Sequence, residues 1–152
     1  MSSAIKIIRT DSSHEDFIQL VALLDADLAM RDGDEHEYYH QFNNIDVLKY
    51  TVVVYCDDHA IGCGAIKQFQ TNSVEVKRMF TKPESRGKGI ATQILLELEQ
   101  WAKELGFQKS VLETGKRQPE AIALYTKNNY QIIPNYGQYI GIDNSLCFEK
   151  EL

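Results

Sequence analysis

The basic glycine pair Arg86-Gly87-Lys88-Gly89 stands directly before a stretch of apolar residues at helical spacing that begins at Ile90. That order makes an anion site. Glycines let the backbone approach a ligand closely, the first amides of a helix have no intrahelical partner, and the helix dipole favours negative charge there. Arg86 and Lys88 add two cations. Two commoner phosphate loops are excluded. No Gly-x-x-x-x-Gly-Lys-Ser/Thr string occurs, and Thr92 stands where the third glycine of Gly-x-Gly-x-x-Gly would be. Other reactive residue types carry less. Cys56, Cys63 and Cys147 lie in no zinc or redox spacing and near no suggestive histidine, so they read as small core hydrophobes rather than nucleophiles. His36 and His40 are one helical turn apart but have no evident third ligand, so they read as loop histidines and no metal is expected.

The elements around the loop read as follows. Ala4 to Arg9 predicts a strand, and Ser12, Ser13 and Glu15 offer the start of a helix carrying Phe17, Leu20, Val21, Leu24 and Leu28, which Gly33 can end. Tyr50 to Cys56 and Ala60 to Phe69 predict strands around an Asp57-Asp58 turn, and Val74 to Thr81 a third, after Thr71-Asn72-Ser73 and before Pro83. Such short connections favour an antiparallel meander. Ile90, Ile94, Leu98, Trp101 and Leu105, widened by Leu95 and Ala102, predict an amphipathic helix closed by Gly106. Ser110 to Glu113 predicts a strand, Pro119 opens a helix through Ala121, Leu124 and Tyr125, and strands are expected around Gln131 to Pro134 and Leu146 to Lys150. A second helix is allowed for in the soft stretch Arg31 to Asp46, and one right-handed β-α-β crossover with a parallel pair is expected in the last half.

Composition sets the outer bounds. The chain has 152 residues, no repeat and no linker, so a single domain over 1–152 is expected. Hydrophobic residues make up 43% and charged residues 25%, and 16 basic against 22 acidic side chains leave a net charge of −6. That balance argues against a nucleic-acid partner. The apolar run Thr51 to Cys56 is far too short for a bilayer span, and MSSAIKIIRTDSS shows neither a signal core nor a lipidation motif, so a cytoplasmic location without a membrane partner is expected.

Arg86-Gly87-Lys88-Gly89-Ile90-Ala91 matches the Gln/Arg-x-x-Gly-x-Gly/Ala motif of the GNAT N-acetyltransferase superfamily, and the preceding VKRMFTKPES resembles that family's fourth strand and pyrophosphate loop. Glu120-Ala121-Ile122-Ala123-Leu124-Tyr125-Thr126-Lys127 resembles its second signature, a helix reading Ala-x-x-Leu-Tyr-x-Lys-x-Gly-Phe. The resemblance implies a mixed α/β fold: a mostly antiparallel twisted sheet of six to seven strands, flanked by about four helices, with a bulged fourth strand splayed from the fifth. It implies acetyl-CoA as cosubstrate. Backbone groups of Met79, Phe80 and Thr81 would pair with the pantetheine arm, while the amides of Gly87, Lys88, Gly89, Ile90, Ala91 and Thr92, with the Arg86 side chain, would hold the pyrophosphate. Two positions depart from the pattern: Gln118 replaces an asparagine facing the cofactor, and Asn129 replaces the glycine before Tyr130.

The implied reaction is transfer of acetyl from acetyl-CoA to a primary amine of a small molecule or peptide, by direct attack in a ternary complex. Tyr125 matches the tyrosine that serves the departing sulfur; an ordinary phenol at ~10 against a thiol at ~8.5 makes hydrogen bonding to the thiolate most of that role. Glu75 is the candidate base, acting directly or through water. Strand alternation places Glu75, Lys77, Met79 and Thr81 on one face and Val74, Val76, Arg78 and Phe80 on the other. Acceptor specificity is expected in Arg31 to Asn44 and Pro134 to Asn144, where Asp32, Asp34, Glu35 and Glu37 attract a cation, or form a plain solvated loop, and Tyr136 and Tyr139 line its apolar part. Family members are often dimers, but no residue here fixes an interface. The rival readings are another acyl-CoA donor, an oxygen acceptor, and a protein that senses acetyl-CoA without turnover.

Overall fold

A computed structural model describes residues 4–32 and 47–152. Strand β1 (Ile5–Thr10) leads into helix α1 (Glu15–Asp32). The expected serines do not cap that helix. Ser13 donates to Asp11, Ser12 Oγ accepts the Leu48 amide at 2.8 Å, and His14 Nδ1 accepts the Asp16 amide at 3.2 Å, so an imidazole serves the first turn. Phe17, Leu20, Val21 and Leu24 then form its buried stripe. The allowance for a further helix before Asp46 lies outside the described residues, among which three α-helices occur.

β2 (Tyr50–Cys56), β3 (His59–Gln70) and β4 (Ser73–Thr81) form the expected meander. Asp57 and Asp58 take φ of 49° and 71°, the left-handed pair that a two-residue hairpin requires. After a short 3-10 turn at Pro83–Ser85, helix α2 (Ile90–Glu104) crosses over to β5 (Lys109–Gly115), followed by α3 (Pro119–Lys127), β6 (Gln131–Ile133) and β7 (Ser145–Glu151). The strands form one seven-stranded sheet in the order β1-β2-β3-β4-β5-β7-β6, antiparallel at every join except β4 with β5. Leu105 departs from its expected place in the α2 stripe: the helix ends at Glu104, Gly106 turns at φ 94°, and Leu105 is left 40% exposed while Phe107 packs on the core.

Helices α2 and α3 cover one face of the sheet, burying Ile94, Leu95, Leu98 and Tyr130 against Val52, Ile66, Val76 and Phe148. Helix α1 covers the other face, with Phe17, Leu20 and Leu24 on Val53, Cys63, Ala65 and Phe80. Fully burying an aliphatic or Phe side chain contributes about 1.5–3 kcal/mol, so these two layers hold the sheet.

The expected faces of β4 are corrected beyond Lys77. The β3–β4 register slips between Cys63 and Ala65, and Arg78 adopts φ 59°. This bulge reverses the alternation. Val74 and Val76 pack under α2, Met79 joins them there, and Phe80 turns to α1. Glu75 and Met79 therefore do not share a face. Gly64 of β3 makes room, since a Cβ there would lie 2.7 Å from Met79 Sδ and 2.8 Å from Ile94 Cγ2. The Arg78 guanidinium, with its side chain 4% exposed, pairs with Asp25 of α1 at 2.8 Å and ties the bulge to that helix.

Candidate active site

β4 and β5 pair only at Ser73↔Lys109, Val74↔Ser110 and Glu75↔Val111. Beyond Glu75 the two strands diverge, and a cleft of about 530 Å³ opens between them. Its walls come from α1 (Leu24, Asp27, Leu28), β4 from Glu75 to Thr81, the start of α2, β5 from Glu113 to Gly115, and α3 with Gln118 and Tyr125. Met79, Phe80, Thr81, Arg86, Gly87, Gly89, Ile90, Ala91 and Thr92 all line it, so the residues singled out in sequence converge. Lys88 does not: it is exposed and stands outside the lining.

The anion site forms as its residues dictate. Gly87 and Gly89 both take φ 79°, and Gly89 caps α2 without a side-chain bond. The first intrahelical bond runs from the Gln93 amide to the Gly89 carbonyl at 3.1 Å, so the amides of Ile90, Ala91 and Thr92 have no helical partner. Arg86 is folded back: its Nε donates to the Thr81 carbonyl at 2.9 Å, its guanidinium lies over the Phe80 ring at 5.8 Å, and Asp27 is 3.8 Å away.

Tyr125 is 6% exposed, edge-on to Tyr130 at 5.8 Å and 6.0 Å from Phe148. Burial, and then the Glu113 carboxylate, push its phenol above the ordinary range, so it remains a hydrogen-bond donor through neutral pH. Glu75 is 7% exposed; its Oε2 accepts the Tyr136 hydroxyl at 2.6 Å and its Oε1 lies 3.3 Å from Lys77 Nζ. Asn129 takes φ 73°, so it fills the left-handed position left by the missing glycine. Cys63 and Cys147 are buried, their thiols pushed up by burial to about 12 and about 11. Asp34, Glu35, Glu37, His36 and His40 lie outside the described residues, as does the side chain of Asp32.

Sequence reasoning missed Glu113 and Asp27 of α1, and read Leu28 only as part of that helix's apolar stripe. Glu113 had a signal, being the one acid in its strand, inside the run SVLET of small and apolar residues. The α1 residues gave none, because their place depends on how the helix crosses the sheet.

The model of the Acetyltransferase (GNAT) family matches residues 17–130. An "IAA acetyltransferase" of Azospirillum brasilense is 39% identical over 93 residues, which cover 60% of this chain and 61% of that protein, so the matched stretch spans about three fifths of the relative. A Klebsiella pneumoniae structure provisionally described as an acyl-CoA N-acyltransferase superposes with a TM-score of 0.77 at 30% identity, covering 97% of both chains. A PaiA N-acetyltransferase from Thermoplasma acidophilum, solved with coenzyme A, gives a TM-score of 0.73 at 20% identity, covers 98% of this chain and 99% of that one, and shares the fold. With three quarters of its length under the family model and the wedge, glycine loop and tyrosine helix in one cleft, the chain belongs to the GNAT acetyltransferase family.

Proposed function

We propose that the protein transfers acetyl from acetyl-CoA to a primary amine of a small molecule or peptide, by direct attack within a ternary complex. One observation carries the reading: a single cleft runs from the capless start of α2 to the open mouth between β4 and β5, with Tyr125 on one wall and Glu75 on another. Among the described residues the β5-facing backbone edge of β4 has no strand partner past Glu75, so the stretch from Met79 to Thr81 can pair on that side with an extended pantetheine chain once Arg86 releases the Thr81 carbonyl. Amides from Gly87 to Thr92 suit the pyrophosphate, and Gln118 at the start of α3 offers an amide to the same ligand. Arg86 serves this site once it leaves the Thr81 carbonyl.

When bound, the thioester supplies an activated acyl carbon. The amine nitrogen bonds to that carbon, the carbon–sulfur bond breaks, and the leaving sulfur is stabilised by the protonated Tyr125 phenol. Glu75 takes the ammonium proton directly or through water. Its carboxylate, with about four acceptor positions of which Tyr136 and Lys77 use two, keeps room for an amine.

Calorimetric titration with acetyl-CoA and CoA, beside thiol release with tyramine, spermidine and a lysine peptide, tests the reading. Binding with turnover of any of these amines is the expected outcome; absence of acetyl-CoA binding would sink it. Tyr125→Phe should lower turnover about 10–100-fold with acetyl-CoA affinity intact. An unchanged kcat would remove Tyr125 from the chemistry.

A further inference from the structure

β6 is the far edge of the sheet, two strands beyond β5, yet the loop that follows it returns to β4. Tyr136, in that loop, donates its hydroxyl to Glu75 Oε2 at 2.6 Å. Its ring packs on Phe69 of β3 at 4.8 Å and edge-on to Tyr139 at 5.7 Å. Asn135 fixes the loop's shape, donating from Nδ2 to the carbonyls of Tyr139 at 3.1 Å and Ile142 at 3.2 Å. Cys147 of β7 lies beside Tyr136, near enough for the two groups to interact electrostatically. The loop thus spans β7 and β5 and sets one hydroxyl on one carboxylate oxygen, at the last residue pair before the strands part.

We propose that Tyr136 is a positioning residue for acyl transfer, holding the Glu75 carboxylate at the root of the wedge so that the β6–β7 loop, together with β4, fixes where the acceptor amine is received. The inference rests on the reading of Glu75 given above. Lys77 engages the other oxygen, so the two donors set the carboxylate in one rotamer and leave its remaining acceptor positions for the acceptor. Tyr136 suits this work because burial and the Glu75 charge push its phenol upward, keeping the donor protonated. The titratable groups facing it among the described residues are Glu75 with Lys77 from β4, Cys147 from β7 and Tyr139 from its own loop, with Glu113 of β5 acting on the latter two. The acceptor's stem then meets the Tyr139 ring, which also lines the cleft.

The test is Tyr136→Phe, which keeps the ring against Phe69 and Tyr139 and removes only the hydroxyl, assayed with tyramine and spermidine. The expected result is a fall of about 10–30-fold in kcat/KM for the amine, carried mainly by KM, with acetyl-CoA affinity within twofold and weaker calorimetric binding of the amine to the CoA complex. In a Glu75→Gln background the same change should alter kcat/KM by less than twofold. Equal losses in both backgrounds, or a parallel loss of acetyl-CoA affinity, would make Tyr136 merely structural and overturn the proposal. So would native kcat/KM in Tyr136→Phe while the parent protein turns over. A parent protein that binds acetyl-CoA yet acetylates none of tyramine, spermidine and the lysine peptide fails the catalytic reading itself, and the positioning role with it.

Discussion

The two ends of β4 lie on one strand in opposite surroundings. From Ser73 to Glu75 it is paired on both sides, to β3 and to β5, with Val74 and Glu75 1% and 7% exposed. From Arg78 to Thr81 it meets, among the described residues, no strand but β3, and that only at Phe80 and Thr81; it carries a left-handed residue and lines the cleft. The closed end spends its backbone hydrogen bonds on the fold; the open end keeps a row of them for a ligand. The difference shows how one strand supports both stability and binding: the bulge at Arg78 separates the two uses, and its ion pair to Asp25 keeps them apart.

The comparison breaks most visibly at the closed end. Ile66 sits opposite Val76 and is 1% exposed, so Ile66→Ala should cost about 2–5 kcal/mol of stability by urea unfolding, with acetyl-CoA affinity of the folded fraction retained. A cost under 1 kcal/mol would mean that this end is not the anchor. At the open end the opposite pattern is expected. Gly89→Glu forces a side chain onto φ 79° and sets an anion at the start of α2, though its Cβ meets no atom within 4 Å. Affinity for acetyl-CoA should fall at least ~100-fold, about 2.7 kcal/mol, with a smaller change in the unfolding midpoint. Normal affinity would relocate the anion site.

The smallest effect sharpens the boundary itself. Cys63 pairs with Phe80 across the strands, and its buried thiol donates to the Arg78 carbonyl at 3.4 Å. Burial raises it from 9.0 in the open chain to about 12. A raised folded value gives stability that is complete below pH 9 and is lost as pH rises towards 12. The urea midpoint should therefore fall across that window, and fall less steeply in Cys63→Ala. Identical slopes would assign the alkaline loss to the buried tyrosines.

Much of this was legible in the residues. The α2 stripe up to Trp101, Gly106, the Asp57-Asp58 hairpin and the glycine loop each follow from local rules, and each stands where those rules put it. The faces of β4 were not legible beyond Lys77, because alternation assumes no bulge, and this bulge depends on Gly64 lying across from it, with Arg78 reaching a helix far away in sequence. The same limit hid the partner of Glu75. Its expected neighbour Lys77 is present, but Tyr136 arrives by a loop whose path is set by Phe69, Asn135 and Tyr139 rather than by spacing along the chain.

The three-pair seam between β4 and β5 also has a kinetic consequence. Strands β2 to β4 are joined by tight turns, so their pairing closes small loops and forms early. β5 can join only after the whole of α2 has been laid down, and then gains few ladder bonds for that long closure. The mouth of the wedge is thus expected to be completed last in folding and to open first in native-state exchange. Room for a ligand and late assembly have one cause, a join that stops at Glu75.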